Sequence, residues 1–427
     1  MSTLETRTAP AAAAISYEDL YSRWEQSNWS ATEIDFTEDA RQWREVFTEH
    51  ERKAALWNYA LFFWGEDAVA DNLGPYIDAA PLEEQKYFLT TQQVDEARHA
   101  VFFKRFMHEV VGLGDGTVGS ALDAIKPELT WGFRKVFDRL DTMADELRRD
   151  RSRPKLAAAI TLYHVIIEAG LAQSGQHFIT SYLADRDLLP GFREGMENVA
   201  RDEQRHIGFG VKLLHDLVVE DPRCREAVAD TLREVLPWTA AVLVPPDWDE
   251  SYVTCFGFTF DEIGEEGSRS VETKLRSAGL PLEELPGPPP VPLDLSHVER
   301  TRRGRQLVQA GVLGEKNGPP AKDPEAQELL FDTIRRSVNP EHGLRSSLTV
   351  QWDFPDADPW YVVVDNGSSR AEQGRAPAPD VTLHSSWEDF VDLAGGRLDP
   401  RRAVLTRRLR LRGRVRALLA FPRVFGR

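Results

Sequence analysis

Apolar and polar positions follow a helical period over most of the first two thirds of the chain. From about Asp39 to Leu73, apolar and aromatic residues recur at spacings of three and four: Trp43, Val46, Phe47, Leu56, Trp57, Ala60, Phe63 and Trp64. That spacing lines one face of a helix, and Gly74-Pro75 predicts its end. A second helix is expected from about Leu82 to Val111, stopping at Gly112, and a third from about Val118 to Arg149. The fourth, about Lys155 to Leu183, is almost wholly apolar at its centre, AAAITLYHVIIEAGLA, and a helix apolar all round is a buried one. The fifth opens at Pro190-Gly191 and runs to about Val219. The sixth starts at Asp221-Pro222 and ends before Pro245-Pro246, and a weaker seventh spans about Asp261 to Ser277. No apolar run reads as long enough to span a bilayer.

After Leu280 the pattern breaks. LPLEELPGPPPVPLDLS is proline-rich and extended. A short helix, about His297 to Ala310, follows, and then more loop. Glu325 to Ser337 reads as a helix. Ser347 to Phe354 and Trp360 to Val364 alternate as strands, and Asp365-Asn366-Gly367 reads as a hairpin turn. Asp380 to His384 is a short strand and Ser386 to Leu393 a helix. Leu405 to Arg416 alternates, with one apolar face and one of arginine, and Ala417 to Phe425 is an amphipathic helix. The expected domains are a disordered leader (1–15), an all-α domain (16–280), a linker with a short helix (281–323) and a C-terminal α+β domain (324–427).

Composition narrows the setting. A hydrophobic share of 41% and a charged share of 28% suit a soluble protein with a core. The start has no apolar stretch of the signal-peptide kind, and two cysteines, Cys224 and Cys255, make no disulfide framework. A cytoplasmic location is expected. The net charge of −17 argues against nucleic-acid binding. The charge is unevenly placed: from Arg401 to Arg427 there are ten arginines and no acid. The plainer use of such a tail is pairing with acids of its own protein. Its other use is peripheral contact with an anionic membrane.

The chemistry is concentrated in a word written twice. Asp95-Glu96-Ala97-Arg98-His99 and Asp202-Glu203-Gln204-Arg205-His206 both read D-E-x-R-H, each within a predicted helix. Residues three apart share a helix face, so Glu96 pairs with His99 and Glu203 with His206. A lone carboxylate in an apolar helix precedes each pair: Glu66 and Glu168. Four carboxylates and two imidazoles on four helices are what a four-helix bundle uses to hold two metal ions. Ligands without thiolate suit iron and manganese. A zinc hydrolase would want three ligands and an open position at one ion, and six ligands fit two ions better. Asp95 and Asp202 are candidates for fixing the histidine tautomers, with Arg98 and Arg205 pairing those acids.

In ligand order and spacing the chain resembles the ferritin-like small subunit of ribonucleotide reductase, and more closely the ligand-binding oxidases derived from it. The resemblance implies a Mn/Fe or Fe/Fe centre with a long-chain fatty acid at the metals. It also implies a Tyr–Val ether cross-link, at positions held here by Tyr163 and Val69. Phe103 stands where the common reductase form has its radical-bearing tyrosine, and a folded domain stands where that form has a free docking tail. The C-terminal region, through SSLTVQWDF, WYVVVDNG, PDVTLHSSWEDFVDLAGGRLDPRRA and LRLRGRVRALLAF, resembles a sterol carrier protein type 2 domain, which implies an apolar tunnel for lipid.

The expected function is that of a non-haem dinuclear metal oxidoreductase. It would use O2 as co-substrate and a separate electron donor to oxidise a hydrophobic, acyl-like or lipid-like molecule. A homodimer is expected. The alternatives are a radical generator for a reductase, or a lipid-binding carrier with a non-catalytic metal site.

Overall fold

The computed structural model describes residues 11–285, 291–316, 318–339, 347–365 and 368–425. They fall into two units. The first runs to Leu285 and takes in Leu293–Thr301, and the second holds Arg302 onward. Most of the expected leader lies outside the described residues. Its described part, Ala11–Ala14, is a turn of 3-10 helix with Ala12 buried.

The long helices of the first unit are α1 (Tyr17–Gln26), α2 (Glu49–Ala79), α3 (Glu83–Phe106), α4 (Trp131–Arg149), α5 (Arg153–Asp185), α6 (Pro190–Glu220), α7 (Arg223–Thr239) and α8 (Phe260–Ser277). Helices α2, α3, α5 and α6 form a four-helix bundle. Its core is closed by large buried side chains, among them Phe63, Phe88, Phe103, Val165 and Phe209.

Three elements differ from the periodicity reading. The first expected helix is two, Thr37–Glu45 and α2. The break falls at Thr48, whose side chain accepts from the Glu51 N–H while the Glu51 carboxylate takes the Thr48 N–H. This reciprocal cap starts α2 afresh. Gly74-Pro75 does not end it. Pro75 lies inside the helix, which continues to Ala79. An interior proline costs about 3 kcal/mol, and the burial of Tyr76 just beyond offsets it with about 1.5–3 kcal/mol. The third expected helix is also split, into Val118–Ile125 and α4. Thr130 caps α4 by accepting from the Phe133 N–H.

Helix α5 carries a feature that a 3.6-residue period does not show. From Thr161 to Ala172 it winds as a π-helix, and the Gln173 N–H bonds the Glu168 carbonyl five residues back. In length and composition α5 passes for a membrane span, with a mean hydropathy of 1.4 over its 18-residue window, contrary to the sequence reading. Yet 78% of that window is buried inside the protein, so α5 is the core helix of the bundle. Helix α6 starts where Asp39 accepts from the N–H groups of Gly191 (2.9 Å) and Phe192 (2.7 Å), satisfying two free donors of its first turn. A Cβ on Gly191 would lie 2.3 Å from the Asp35 carbonyl, so only glycine fits there.

The second unit contains α9 (His297–Gln309, whose first residues belong to the first unit), α10 (Pro324–Arg336), a five-stranded sheet, α11 (Trp387–Ala394), α12 (Pro400–Leu405) and α13 (Val415–Phe425). The strands are β1 (Leu348–Asp353), β2 (Trp360–Asp365), β3 (Ser368–Gln373), β4 (Val381–His384) and β5 (Arg410–Gly413), in the order β3-β2-β1-β4-β5. Only β1 and β4 pair in parallel. The expected turn at Asn366-Gly367 lies outside the described residues, and β2 and β3 on either side of it pair antiparallel. Alternate residues Val350, Trp352, Val362 and Val364 are buried. Phe331 of α10 stacks on Trp360 at 4.8 Å and on Phe390 of α11 at 5.4 Å. The alternation expected from Leu405 to Arg416 is in fact α12, a four-residue β5 and the start of α13. Asp399 caps α12 by accepting from the Arg402 N–H, with Pro400 at the first helical position.

Candidate metal centre

Glu66 comes from α2, Glu96 and His99 from α3, Glu168 from the π-helical stretch of α5, and Glu203 and His206 from α6. All six are buried. Their ligand atoms form two overlapping groups: Glu66, Glu96, His99 and Glu203 within 4.8 Å of one another, and Glu96, Glu168 and His206 likewise. Glu96 belongs to both.

The two D-E-x-R-H words are wired crosswise. The Nδ1 of His99 faces the cluster, 3.0 Å from Glu66 and 3.4 Å from Glu96, and its Nε2 lies 3.2 Å from Asp202 of the other word. The Nδ1 of His206 lies 3.2 Å from Glu96, and its Nε2 is 3.1 Å from Asp95. A proton on each Nε2, donated to an aspartate, leaves each Nδ1 lone pair free to face an ion. Arg205 Nη2 bonds both aspartates, at 3.1 Å to Asp95 and 2.5 Å to Asp202. Arg98 bonds Asp95 at 3.0 Å and approaches Asp202 at 3.7 Å.

Four participants carry no mark in the periodicity. Trp24 donates its indole N–H to Asp95 at 3.0 Å, and Trp29 donates to Asp202 at 2.8 Å. Gln92 sits one turn before Glu96. Its amide donates to Glu168 (2.8 Å) and to the Tyr163 hydroxyl (3.0 Å), and its carbonyl takes His164 Nε2 at 3.1 Å. The Tyr163 hydroxyl in turn donates to Glu96 Oε1 at 2.8 Å. A spacing of four on one helix face was the available signal for Gln92.

Electrostatics show a cluster that lacks positive charge. Burial pushes the Glu66 carboxyl up to about 8, against the pull of the His99 imidazole. Burial and neighbouring carboxylates also raise Glu168 and Glu203. Glu96 goes the other way: His206 and His99 outweigh its burial. Both histidines are held well above the ordinary imidazole range despite burial, His99 by Glu66 and Asp202, His206 by Asp95, Glu203 and Glu96. His164, by contrast, is pushed down to about 3 by burial and by His206, and stays neutral. Three carboxylate oxygens (Oε2 of Glu96, Glu168 and Glu203) and His206 Nδ1 are buried without a hydrogen-bond partner. Orphaned acceptors in such numbers are costly unless a cation meets them. Four carboxylates balance two divalent ions, so the residues present fit a dinuclear metal centre.

A cavity of about 80 Å³ opens from the cluster. Glu66, Val69, Glu96, Glu168 and Glu203 border it at one end, and Phe62, Leu61 and Trp57 follow along α2. From Val69 to Trp57 that helix face extends about 18 Å at 1.5 Å per residue. The rest of the lining is almost wholly apolar, including Phe137, Ile167, Leu171 and Phe178. Phe103 is fully buried and stacks on Phe62 at 6.1 Å.

A model of the ribonucleotide reductase small-chain family matches residues 14–238. A model of the SCP-2 sterol transfer family matches residues 320–426. Among solved structures, the R2-like ligand-binding oxidase from Sulfolobus acidocaldarius is 26% identical. The alignment covers 61% of this chain and 89% of that one, with a TM-score of 0.52. A variant R2-like ligand-binding oxidase with an anaerobically reconstituted Mn/Fe cofactor shares the fold at 24% identity, over 62% of this chain and 94% of its own, with a TM-score of 0.53. The core is thus ferritin-like and the C-terminal α+β unit a sterol-carrier domain.

Proposed function

The chain belongs to the ribonucleotide reductase small-chain family, and from that premise we propose that it is an O2-dependent oxidase of an acyl-like or lipid-like substrate, working with a Mn/Fe or Fe/Fe pair. Bound in this centre, such a pair supplies O2 activation for the oxidation of a C–H bond. Glu66, Glu96, His99 and Glu203 would hold one ion, and Glu96, Glu168 and His206 the other, with Glu96 spanning the two. Asp202 and Asp95 keep the histidine Nε2 protons in place. His164 orients Gln92, and Gln92 orients Glu168 and the Tyr163 hydroxyl. The apolar lining keeps water from the centre and lays a hydrocarbon chain along Phe62, Ile167 and Leu171. The sterol-carrier unit would hold or deliver that substrate.

The observation that carries this reading is the set of orphaned carboxylate oxygens around one buried space that continues into an apolar cavity. Phe103 favours it over radical supply, since a phenylalanine has no phenol to oxidise. The test is metal analysis of purified protein combined with O2 uptake in the presence of reductant and fatty acids. Two ions per chain and repeated turnover are expected, with Glu168→Ala losing both. Uptake that stops after one turnover would favour a lipid carrier with a non-catalytic centre instead.

Val69 borders the cavity beside Glu66, and Tyr163 touches Glu96. In the proposed reading they form an ether cross-link. The tyrosine O–H and a valine C–H each lose a hydrogen, and O2 at the metal pair takes up the two electrons and two protons. Peptides joined at these residues and lighter by two hydrogens are expected after metal loading in air. Separate, unmodified peptides would end the idea.

A further inference from the structure

The arginine-rich end of the second unit is built differently from a tail that pairs with its own protein. Among the described residues, Arg408 pairs with Asp389, and Arg414 with Asp380 at 3.2 Å. Arg401, Arg402, Arg407, Arg410, Arg412, Arg416 and Arg423 are exposed and have no carboxylate within ion-pair distance. Large apolar side chains stand exposed among them. Leu405 is 83% exposed, Val415 72% and Leu419 70%, and Val404 adds 42%. Four of the ten large hydrophobic residues most exposed on the protein fall within this short stretch.

The local structure explains why they stand out. Helix α13 turns Val424 inward and rests Phe425 against Trp352 at a ring distance of 6.0 Å. Val415, Leu419 and Arg423 follow at spacings of four, so they form one outward line, with Arg416 beside it. Strand β5 is the edge of the sheet and presents Arg410 and Arg412 outward. Leu405 ends α12 just before the unpaired Arg407.

We propose that this surface docks on an anionic lipid bilayer, the arginines meeting headgroups while Leu405, Val415 and Leu419 enter the acyl boundary. Charge complementarity selects the partner. A patch of seven unpaired cations on a chain of net charge −17 seeks a negative surface, and its exposed leucine and valine side chains suit a membrane interface and not a purely polar polyanion. Docking would place the sterol-carrier unit at the reservoir from which a lipid is drawn. It rests on this surface alone, so its failure would leave the metal-centre reading untouched.

The test is co-sedimentation of the full-length chain with vesicles of phosphatidylcholine, with and without 30% phosphatidylglycerol, a probe composition of about one anionic lipid in three. Binding is expected only to the anionic vesicles, weakening as salt rises. Arg407→Gln, Arg410→Gln and Arg412→Gln combined should lower it on the order of 100-fold, at about fivefold per arginine. Leu419→Ser with Leu405→Ser should lower it about tenfold or more while melting temperature and metal content stay unchanged, since both side chains are exposed. Equal binding to neutral vesicles, or no binding to anionic ones at low salt, would overturn the proposal. So would DNA binding as tight as vesicle binding and indifferent to the two serine substitutions.

Discussion

Replacing Asp202 by asparagine tests the crosswise wiring of the metal centre. Asp202 lies next to Glu203 in sequence but accepts from His99, whose Nδ1 faces Glu66 and Glu96. Asparagine keeps the shape and removes the charge that fixes the His99 tautomer. Losing such an outer partner lowers metal affinity about 10–100-fold, or about 1.4–2.7 kcal/mol. The fold should survive. Breaking a buried ion pair costs about 3–5 kcal/mol when the partner is stranded, but Arg205 keeps Asp95 at 3.1 Å and Trp29 keeps an oxygen to donate to. A stability loss of about 1–2 kcal/mol is expected. The weakened ion should be the one among Glu66, Glu96, His99 and Glu203. Asp95→Asn should weaken the other, beside Glu168 and His206. Stepwise metal titration against a graded chelator gives the two affinities, and anomalous diffraction of partly loaded protein gives their positions. If Asp202→Asn weakened the ion beside His206, or if both variants weakened both ions alike, the crosswise assignment would be wrong.

Tyr163→Phe removes a hydrogen bond to the Glu96 carboxylate, a loss of about 1.5–3 kcal/mol. Metal should still bind, and mass spectrometry should find no peptide joined to Val69. Gly175→Leu fills the cavity, since a Cβ there already lies 2.8 Å from the Phe62 ring. It should cost about 1–3 kcal/mol and strip co-purifying lipid from the first unit while both ions remain; unchanged lipid in native mass spectrometry would contradict the cavity's role. The metal-free protein should lose stability with rising pH. The folded-state carboxyl of Glu66 is raised from its ordinary 4.5 to about 8. Its contribution is therefore full below about 4.5 and is lost as pH climbs to about 8, at up to about 1.4 kcal/mol per pH unit. The raised His99 and His206 act in the same direction, their contribution present below the ordinary imidazole range and lost as pH rises through their folded values. Melting curves of chelated protein between pH 5 and 8 check this, and a melting temperature that rose over that window would refute it.

Much of the site was legible because ligand chemistry leaves an uneven trace. A glutamate in a wholly apolar helix, such as Glu168, conflicts with its surroundings, and the conflict is visible in the sequence. Gln92, Trp24 and Trp29 produce no such conflict. A glutamine on an amphipathic helix looks like its solvent face, and the two tryptophans lie in or beside the first helix, outside the segments with the strongest period. Boundaries failed where packing outweighed local rules, as at Pro75, where a buried Tyr76 carries the helix past its proline. The split at Thr130 was overlooked because the apolar positions before and after it keep a nearly common phase. In the second unit, strand alternation located β1, β2 and β4 within a residue or two. The arginine-rich stretch misled because short elements of different kind can mimic one alternating strand.

The π-helical stretch of α5 has a consequence for how this chain can change. In an α-helix, Tyr163 and Glu168 would point about 140° apart. Winding with bonds to the fifth residue brings them round to one side, where one meets Glu96 and the other Gln92. Deleting any one residue between Thr161 and Ala172 would let the helix rewind and would rotate all that follows by about 100°. Gly175 and Phe178 would swing off the cavity wall with it. The segment can therefore accept many exchanges of apolar side chains but no change in their number. Variation here is confined to spelling, and a chain of this design that gained or lost one residue would have to abandon either its tyrosine or its glutamate.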